Sequence, residues 1–170
     1  MVKPLAFYRT NSVIQITPDT RRGVLWIDGT IALPDAPKGA PEKGVQKFNW
    51  EEKLIIVLSP EEGLALAECA ERVLRTREGK VEFFHDPKKG GRDGEPKTLS
   101  LSYERTEKGD RVFIQILQGA KRVSVALGKG DLYALATLIP YVVSRIWDWT
   151  GTLPPHEEEP SFEGSDDVPF

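Results

Sequence analysis

Cysteine is almost missing from this chain: Cys69 is the only one in 170 residues. No disulfide can form within the chain, no cysteine-rich metal site can be built, and a reducing compartment is the default. Histidine is nearly as scarce, and His85 and His156 stand in unrelated places, too few and too far apart in sequence for a ligand set. No segment runs to eighteen apolar residues without charge, which argues against a membrane-spanning helix. Met1-Val2-Lys3-Pro4-Leu5 lacks the apolar region of a signal segment. A Gly-rich phosphate loop and a nucleophile with a nearby base are also missing, leaving only a nuclease built from scattered carboxylates among the enzyme readings. Together these absences lead us to expect a cytoplasmic protein that is not an enzyme and needs no cofactor or metal.

What is present is an ordinary soluble composition, 39% hydrophobic and 29% charged, at a length that suits one domain with a proper core. The charge is unevenly placed. Residues 157–170 hold four Glu and two Asp with no Lys or Arg, so the overall −3 divides into −6 there and +3 for residues 1–156. A segment this acidic, with Pro, Gly and Ser and few apolar side chains, cannot offset the entropy of ordering. Residues 1–150 are therefore expected to form the domain, and residues 151–170 a linker and a disordered acidic tail. A mildly basic body beside an acidic tail suits a polyanion-binding surface.

Along the chain, residues 5–17 read as a first strand, stopped by Pro18-Asp19. Residues 23–33 alternate Leu25, Ile27, Ile31 and Leu33 against Val24, Trp26, Asp28 and Thr30, which makes a second strand with Trp26 facing outward. A Pro- and Gly-containing loop follows at 34–44. Residues 45–50 and 54–58 give the third and fourth strands, or one strand bent at Glu51-Glu52. Ser59-Pro60-Glu61-Glu62 is a capping box with Pro at the first helical position. Leu66, Cys69, Ala70, Val73 and Leu74 continue at helical spacing, predicting a helix over 60–77 with Cys69 as a small core residue. The pattern then repeats: a strand at 80–86, a basic loop at 87–97, strands at 98–106, 111–118 and 121–127, and a helix from 132 to about 149 capped by Asp131. The predicted fold is α+β, two repeats of four antiparallel strands followed by a helix.

Binding a single strand without sequence preference requires cations for phosphates and exposed aromatic faces for bases. Strand alternation turns Arg111, Phe113 and Gln115 away from Val112, Ile114 and Ile116, and Arg122 and Ser124 away from Val123, Val125 and Leu127. Trp26, Lys47 and Trp50 are the candidates in the first repeat, and Lys88, Lys89 and Arg92 supply cations in the basic loop. The last helix carries Leu132, Leu135, Ala136, Ile139, Val142, Val143, Ile146 and Trp149 at helical spacing. Tyr133, Leu138, Tyr141 and Trp147 widen its apolar surface beyond one stripe, which calls for cover on a second side. Pro140 is expected to kink it.

Two resemblances add to this reading. Asp166-Asp167-Val168-Pro169-Phe170 resembles the C-terminal tip of bacterial single-stranded-DNA-binding proteins, which implies capture by DNA-processing enzymes, the Phe in an apolar pocket and the carboxylate held by basic residues. The strand and helix order over residues 5–149, with Gly128-Lys129-Gly130 before the second helix, resembles the Whirly family, the single-chain relatives of the transcriptional positive cofactor four. That likeness implies single-stranded nucleic acid on the exposed sheet faces and helices that assemble a homo-oligomer, a tetramer by analogy. The two marked helices do not fit the OB barrel usually joined to such a tip. The expectation is a single-stranded-DNA-binding protein of replication, recombination or repair. An RNA-binding or transcription-modulating protein of the same fold, or an oligomeric protein-interaction adaptor, stands as the alternative.

Overall fold

Alternating hydrophobic residues on eight segments produce two separate four-stranded antiparallel sheets, each followed by one helix. The computed structural model describes residues 3–39 and 42–148. Sheet 1 contains β1 (Leu5–Tyr8), β2 (Ser12–Asp19), β3 (Val24–Ile31) and β4 (Leu54–Leu58) in that spatial order. Helix α1 (Pro60–Thr76) follows. Sheet 2 contains β5 (Lys80–His85), β6 (Lys97–Thr106), β7 (Gly109–Gln118) and β8 (Lys121–Leu127), again in chain order. Helix α2 (Lys129–Ile146) completes the second repeat. The predicted fold class is therefore the observed one, while the acidic segment lies outside the described residues.

One face of each sheet is buried. In sheet 1 the register aligns Phe7, Ile14, Gly29 and Leu54, and then Leu5, Ile16, Ile27 and Ile56. In sheet 2 it aligns Val81, Leu101, Ile114 and Val125, and then Phe83, Leu99, Ile116 and Val123. These rows share one core with Leu66, Cys69 and Val73 of α1 and Leu132, Leu135, Ile139 and Val143 of α2. Each large aliphatic side chain buried there contributes about 1.5–3 kcal/mol. Two glycines mark where the layers approach most closely. A Cβ on Gly29 would lie 2.9 Å from Ile116 Cδ1, and one on Gly63 would lie 2.5 Å from Leu25 Cδ1. Glycine is thus required where β3 meets β7 and where α1 meets β3.

The Ser59 cap forms as the sequence predicts: its Oγ accepts from the Glu62 N–H at 3.1 Å, and Glu62 Oε2 accepts from the Ser59 N–H at 2.9 Å. The other oxygen of Glu62 lies 2.7 Å from His85 Nε2 and ties α1 to β5. Cys69 is buried, directs Sγ toward the Leu101 carbonyl, and has its thiol pKa pushed up by burial.

Four sequence expectations change. Residues 5–17 are not one strand but two, β1 and β2, joined by a turn that the Arg9 N–H closes onto the Ser12 carbonyl at 2.8 Å. Pro18 does not end β2 but pairs with Leu25 within it, beyond Ile16 where the pairing with β1 stops, so no three-strand ladder is interrupted there. Residues 45–50 form no strand; Phe48 makes an isolated bridge to Ala32, and Trp50–Glu52 is a single 3₁₀ turn. Helix α2 also begins earlier than expected: Gly128 is its N-cap and Asp131 sits at the third position, accepting from the Gly128 N–H at 2.8 Å. The helix continues through Pro140.

Candidate nucleic-acid interface

The rows that face away from the core carry the candidate binding residues. On sheet 2 they read Lys80, Ser102, Phe113, Ala126; then Glu82, Ser100, Gln115, Ser124; then Phe84, Thr98, Leu117, Arg122. One polar row with small hydroxyl side chains therefore lies between two rows that carry the aromatic rings. Ser100, Ser102 and Gln115 are sunk between larger neighbours, Phe113 and Leu117 are half-buried, and Phe84 is 57% exposed. Arg111 and Arg122 stand exposed at the two ends of this face. The arrangement offers flat apolar rings for bases, an amide and hydroxyls for base edges, and flanking cations for phosphates. Phe84 was not among the sequence-predicted residues, although the Phe83-Phe84 pair in a strand must place one ring on each face.

The outer face of sheet 1 is partly covered by its own chain. Val13 and Thr30 point outward yet are fully buried, because the segment after β3 folds back over them. The Leu33 N–H donates to the Lys47 carbonyl at 2.8 Å, and Thr30 Oγ1 donates to the Asn49 carbonyl at 2.5 Å. Phe48 is buried there, its ring centroid 5.8 Å from that of Tyr8. Lys47 is consumed by the same fold-back: it is 4% exposed, and its ammonium donates to the Gly39 carbonyl. It does not present a cation on the surface, contrary to the alternation argument, because 45–50 is a returning segment and not a strand. Trp50 is half-buried in the 3₁₀ turn.

Trp26 does lie on the uncovered part of sheet 1, in a row with Thr17 and Val57. It is half-buried, with Nε1–H donating to Asp19 Oδ2 at 3.3 Å and the Arg22 guanidinium 5.7 Å from the ring centroid. The Arg22 backbone N–H above all, with further donation from Trp26 and Arg21, holds the Asp19 carboxyl below its ordinary pKa, against the opposing effect of desolvation. Beyond Val57 the edge of β4 borders a concavity of about 370 Å3 whose lining includes His85, Arg92 and Lys97. Lys97 Nζ donates to the Ile55 carbonyl at 2.8 Å. Lys88 and Lys89 extend this basic region on a 3₁₀ turn that Asp86 caps by accepting the Lys88 N–H at 3.0 Å. Lys47 and Trp50 aside, the structure sorts the predicted site residues within 1–148 into two groups. Trp26, with Lys88, Lys89 and Arg92 nearby, flanks β4, whereas Arg111, Phe113, Gln115, Arg122 and Ser124 share sheet 2.

The repeats are locked at the β8 edge. Ser12 Oγ donates to the Ser124 carbonyl at 2.7 Å, and Arg9 reaches the Ala126 carbonyl at 2.7 Å and Asp131 at 2.5 Å. Among the described residues no group of three His, Cys, Asp or Glu side chains could hold a metal ion, and no helix is long and apolar enough to cross a membrane. The candidate partner-binding residues Asp166, Asp167, Val168, Pro169 and Phe170 lie outside the described residues.

A search by family places the Whirly transcription factor family on residues 20–138, more than half of the chain. The chain belongs to the Whirly family. Solved structures agree on the fold. The plant transcriptional regulator PBF-2 is 17% identical with a TM-score of 0.60, and WHY1 from Arabidopsis thaliana is 15% identical with a TM-score of 0.62; each match covers 88% of this chain and 93% of the other. WHY3 from Arabidopsis thaliana is 18% identical with a TM-score of 0.57 over 88% of this chain and 91% of that one. Direct comparison with curated protein sequences finds no match. At these identities the structural likeness concerns the shared Whirly fold, a nucleic-acid-binding fold, and not individual side chains.

Proposed function

We propose that this Whirly protein binds single-stranded DNA with little sequence specificity across the uncovered outer faces of its sheets, without catalysis, and recruits replication, recombination and repair proteins through Asp166–Phe170. The observation that carries the strand-binding reading is the open face of sheet 2, where Phe84, Phe113 and Leu117 alternate with Gln115 and serine hydroxyls between Arg111 and Arg122. Stacking on such rings is indifferent to base identity, and charge on the margins supplies affinity. Assembly through α2 belongs to the same proposal, since Tyr133, Leu138, Tyr141 and Trp147 are exposed along that helix.

Fluorescence anisotropy with oligo-dT, against RNA and duplex of the same length and across a salt series, tests the reading. Preferential, salt-sensitive binding to oligo-dT supports it; absence of binding to any of the three overturns it. A second reading, an RNA-binding or transcription-modulating role, is favoured by the transcription-factor description of the matching family. Tighter binding to RNA than to oligo-dT would select it.

A further inference from the structure

Most buried polar side chains among the described residues have a partner inside the protein. Ser12, Thr30 and Lys47 donate to backbone carbonyls, Asp28 accepts from Lys53, and Ser102 donates to Glu104. Two stand apart. Ser100 and Gln115 are 7% and 8% exposed, and among the described residues neither side chain makes a hydrogen bond, yet neither amide atom of Gln115 is sealed from solvent. They are neighbours in the register, Ser100 on β6 and Gln115 on β7, and Ser124, opposite Gln115 on β8, also leaves its hydroxyl without a partner. Sheet 1 offers a contrast: Gln15 on its outer face donates its amide to Asp28 at 3.4 Å. A buried amide left unpaired is costly, so the row Ser100, Gln115, Ser124 points to a ligand carrying both donors and acceptors. At its β5 end the row closes on Glu82, whose carboxylate is paired with Lys80 at 3.2 Å.

Phe113 and Leu117 lie two residues to either side of Gln115 on the same face of β7. A base stacked against either one stands on edge over the polar row. The edge that a single strand leaves open is the Watson–Crick edge, where every base sets a donor beside an acceptor. In thymine and guanine a keto oxygen adjoins a ring N–H; in adenine and cytosine an amino group adjoins a bare ring nitrogen. An amide matches the first arrangement in one orientation and the second after a half-turn, and serine hydroxyls donate or accept by rotating.

We infer that Gln115, with Ser100 and Ser124 beside it, reads the Watson–Crick edge of one base in the bound strand through a bidentate pair whose direction reverses with the base. The inference rests on the strand-binding reading and deepens it. Low sequence specificity then comes from an amide that turns to suit each base, and a base already paired in a duplex has no edge to offer.

Anisotropy on the full chain compares oligo-dT with a strand of equal length in which every thymine is methylated at N3. Phosphates and ring faces are kept, while the N3–H is lost and the edge is blocked. Methylation should weaken binding to the unaltered protein about fivefold or more, the scale of one bidentate pair. In Gln115→Leu, which keeps an apolar stem in place, oligo-dT should itself bind about fivefold more weakly, and methylation should then cost less than about twofold. In Gln115→Glu both side-chain oxygens only accept, which suits the cytosine amino group and repels thymine O4. Its affinity for oligo-dC relative to oligo-dT should rise about fivefold or more. Equal affinity of the unaltered protein for the two thymine strands, a methylation penalty undiminished in Gln115→Leu, or an unmoved ratio in Gln115→Glu overturns the inference and leaves strand binding standing. An unaltered protein that binds neither thymine strand overturns strand binding itself, and the inference with it.

Discussion

Replacing Phe113 with Ala separates base stacking from simple charge attraction. Phe113 is half-buried on the outer face of sheet 2 and pairs with Ser102 and Ala126, both small. Truncation therefore removes a platform without opening a cavity in the core, and the protein should remain folded. One lost stacked base is worth about 1–3 kcal/mol, which is about 5- to 140-fold in Kd. Trp26→Ala should cost less, because Arg22 lies over that ring and Asp19 holds its N–H. As Trp26 and Phe113 stand on different sheets, the two losses should add to within about 0.5 kcal/mol, giving the double variant at least about a tenfold deficit. Anisotropy with oligo-dT on the two single variants and the double variant measures all three terms. Unchanged affinity in folded Phe113→Ala would refute the stacking face, and a coupling above about 1 kcal/mol would refute the placement on independent surfaces.

Neutralising Lys88, Lys89 and Arg92 should flatten the log–log salt dependence by up to about 2, at ~0.7 per phosphate contact on a single strand; an unaltered slope would make the basic turn merely solvated. Gly29→Val should destabilise the fold by about 1–3 kcal/mol through overpacking, because Ile116 lies 2.9 Å from the added Cβ and Ile14 and Val123 each lie 3.2 Å away; urea denaturation reads this directly. In an NMR titration Asp19 should protonate below its reference value of 3.8. The sign follows from its depressed pKa: whatever Asp19 contributes is present above the unfolded carboxylate range and lost as pH falls through the folded value. Arg22→Ala should leave most of that shift intact, because the largest cause is the backbone N–H of that residue.

The second repeat was legible because every strand in it alternates without interruption and its turns carry the expected chemistry. Arg111, Phe113 and Gln115 could be assigned to one face from spacing alone, and the register confirms it. The first repeat was harder to read for local reasons. The β1–β2 turn uses Arg9, Thr10 and Asn11, with neither Gly nor Pro to announce it, and Pro18 signalled a stop that a position beyond the three-strand ladder makes unnecessary. The failure at Lys47 has a different origin. Residues 45–50 contain strand-forming types, but their partners are the carbonyls and amides of Ile31 and Leu33 at the exit of β3, a tertiary arrangement that no local pattern reports. Phe84 is readable from the alternation of β5, but its strand is less strongly patterned than the last hairpin.

The two repeats share a plan but not a role, and each completes the other. Sheet 1 loses part of its outer face to its own returning segment, and the cations beside its free row of Thr17, Trp26 and Val57 come from the second repeat through the turn at Pro87–Gly90. Sheet 2 keeps a bare outer face, but its edge strand β8 is held by Ser12 and Arg9 of the first repeat. The core is divided in the same way, with Gly29 against Ile116 and Val123, and Gly63 of α1 near Ile139 and Val143 of α2. Residues 1–78 and 79–148 produced as separate chains would each expose half of this core. Circular dichroism should show neither half folded alone, and oligo-dT binding should return only on mixing. A folded, strand-binding second half would instead mean that sheet 2 carries the function alone and that the first repeat serves other ends.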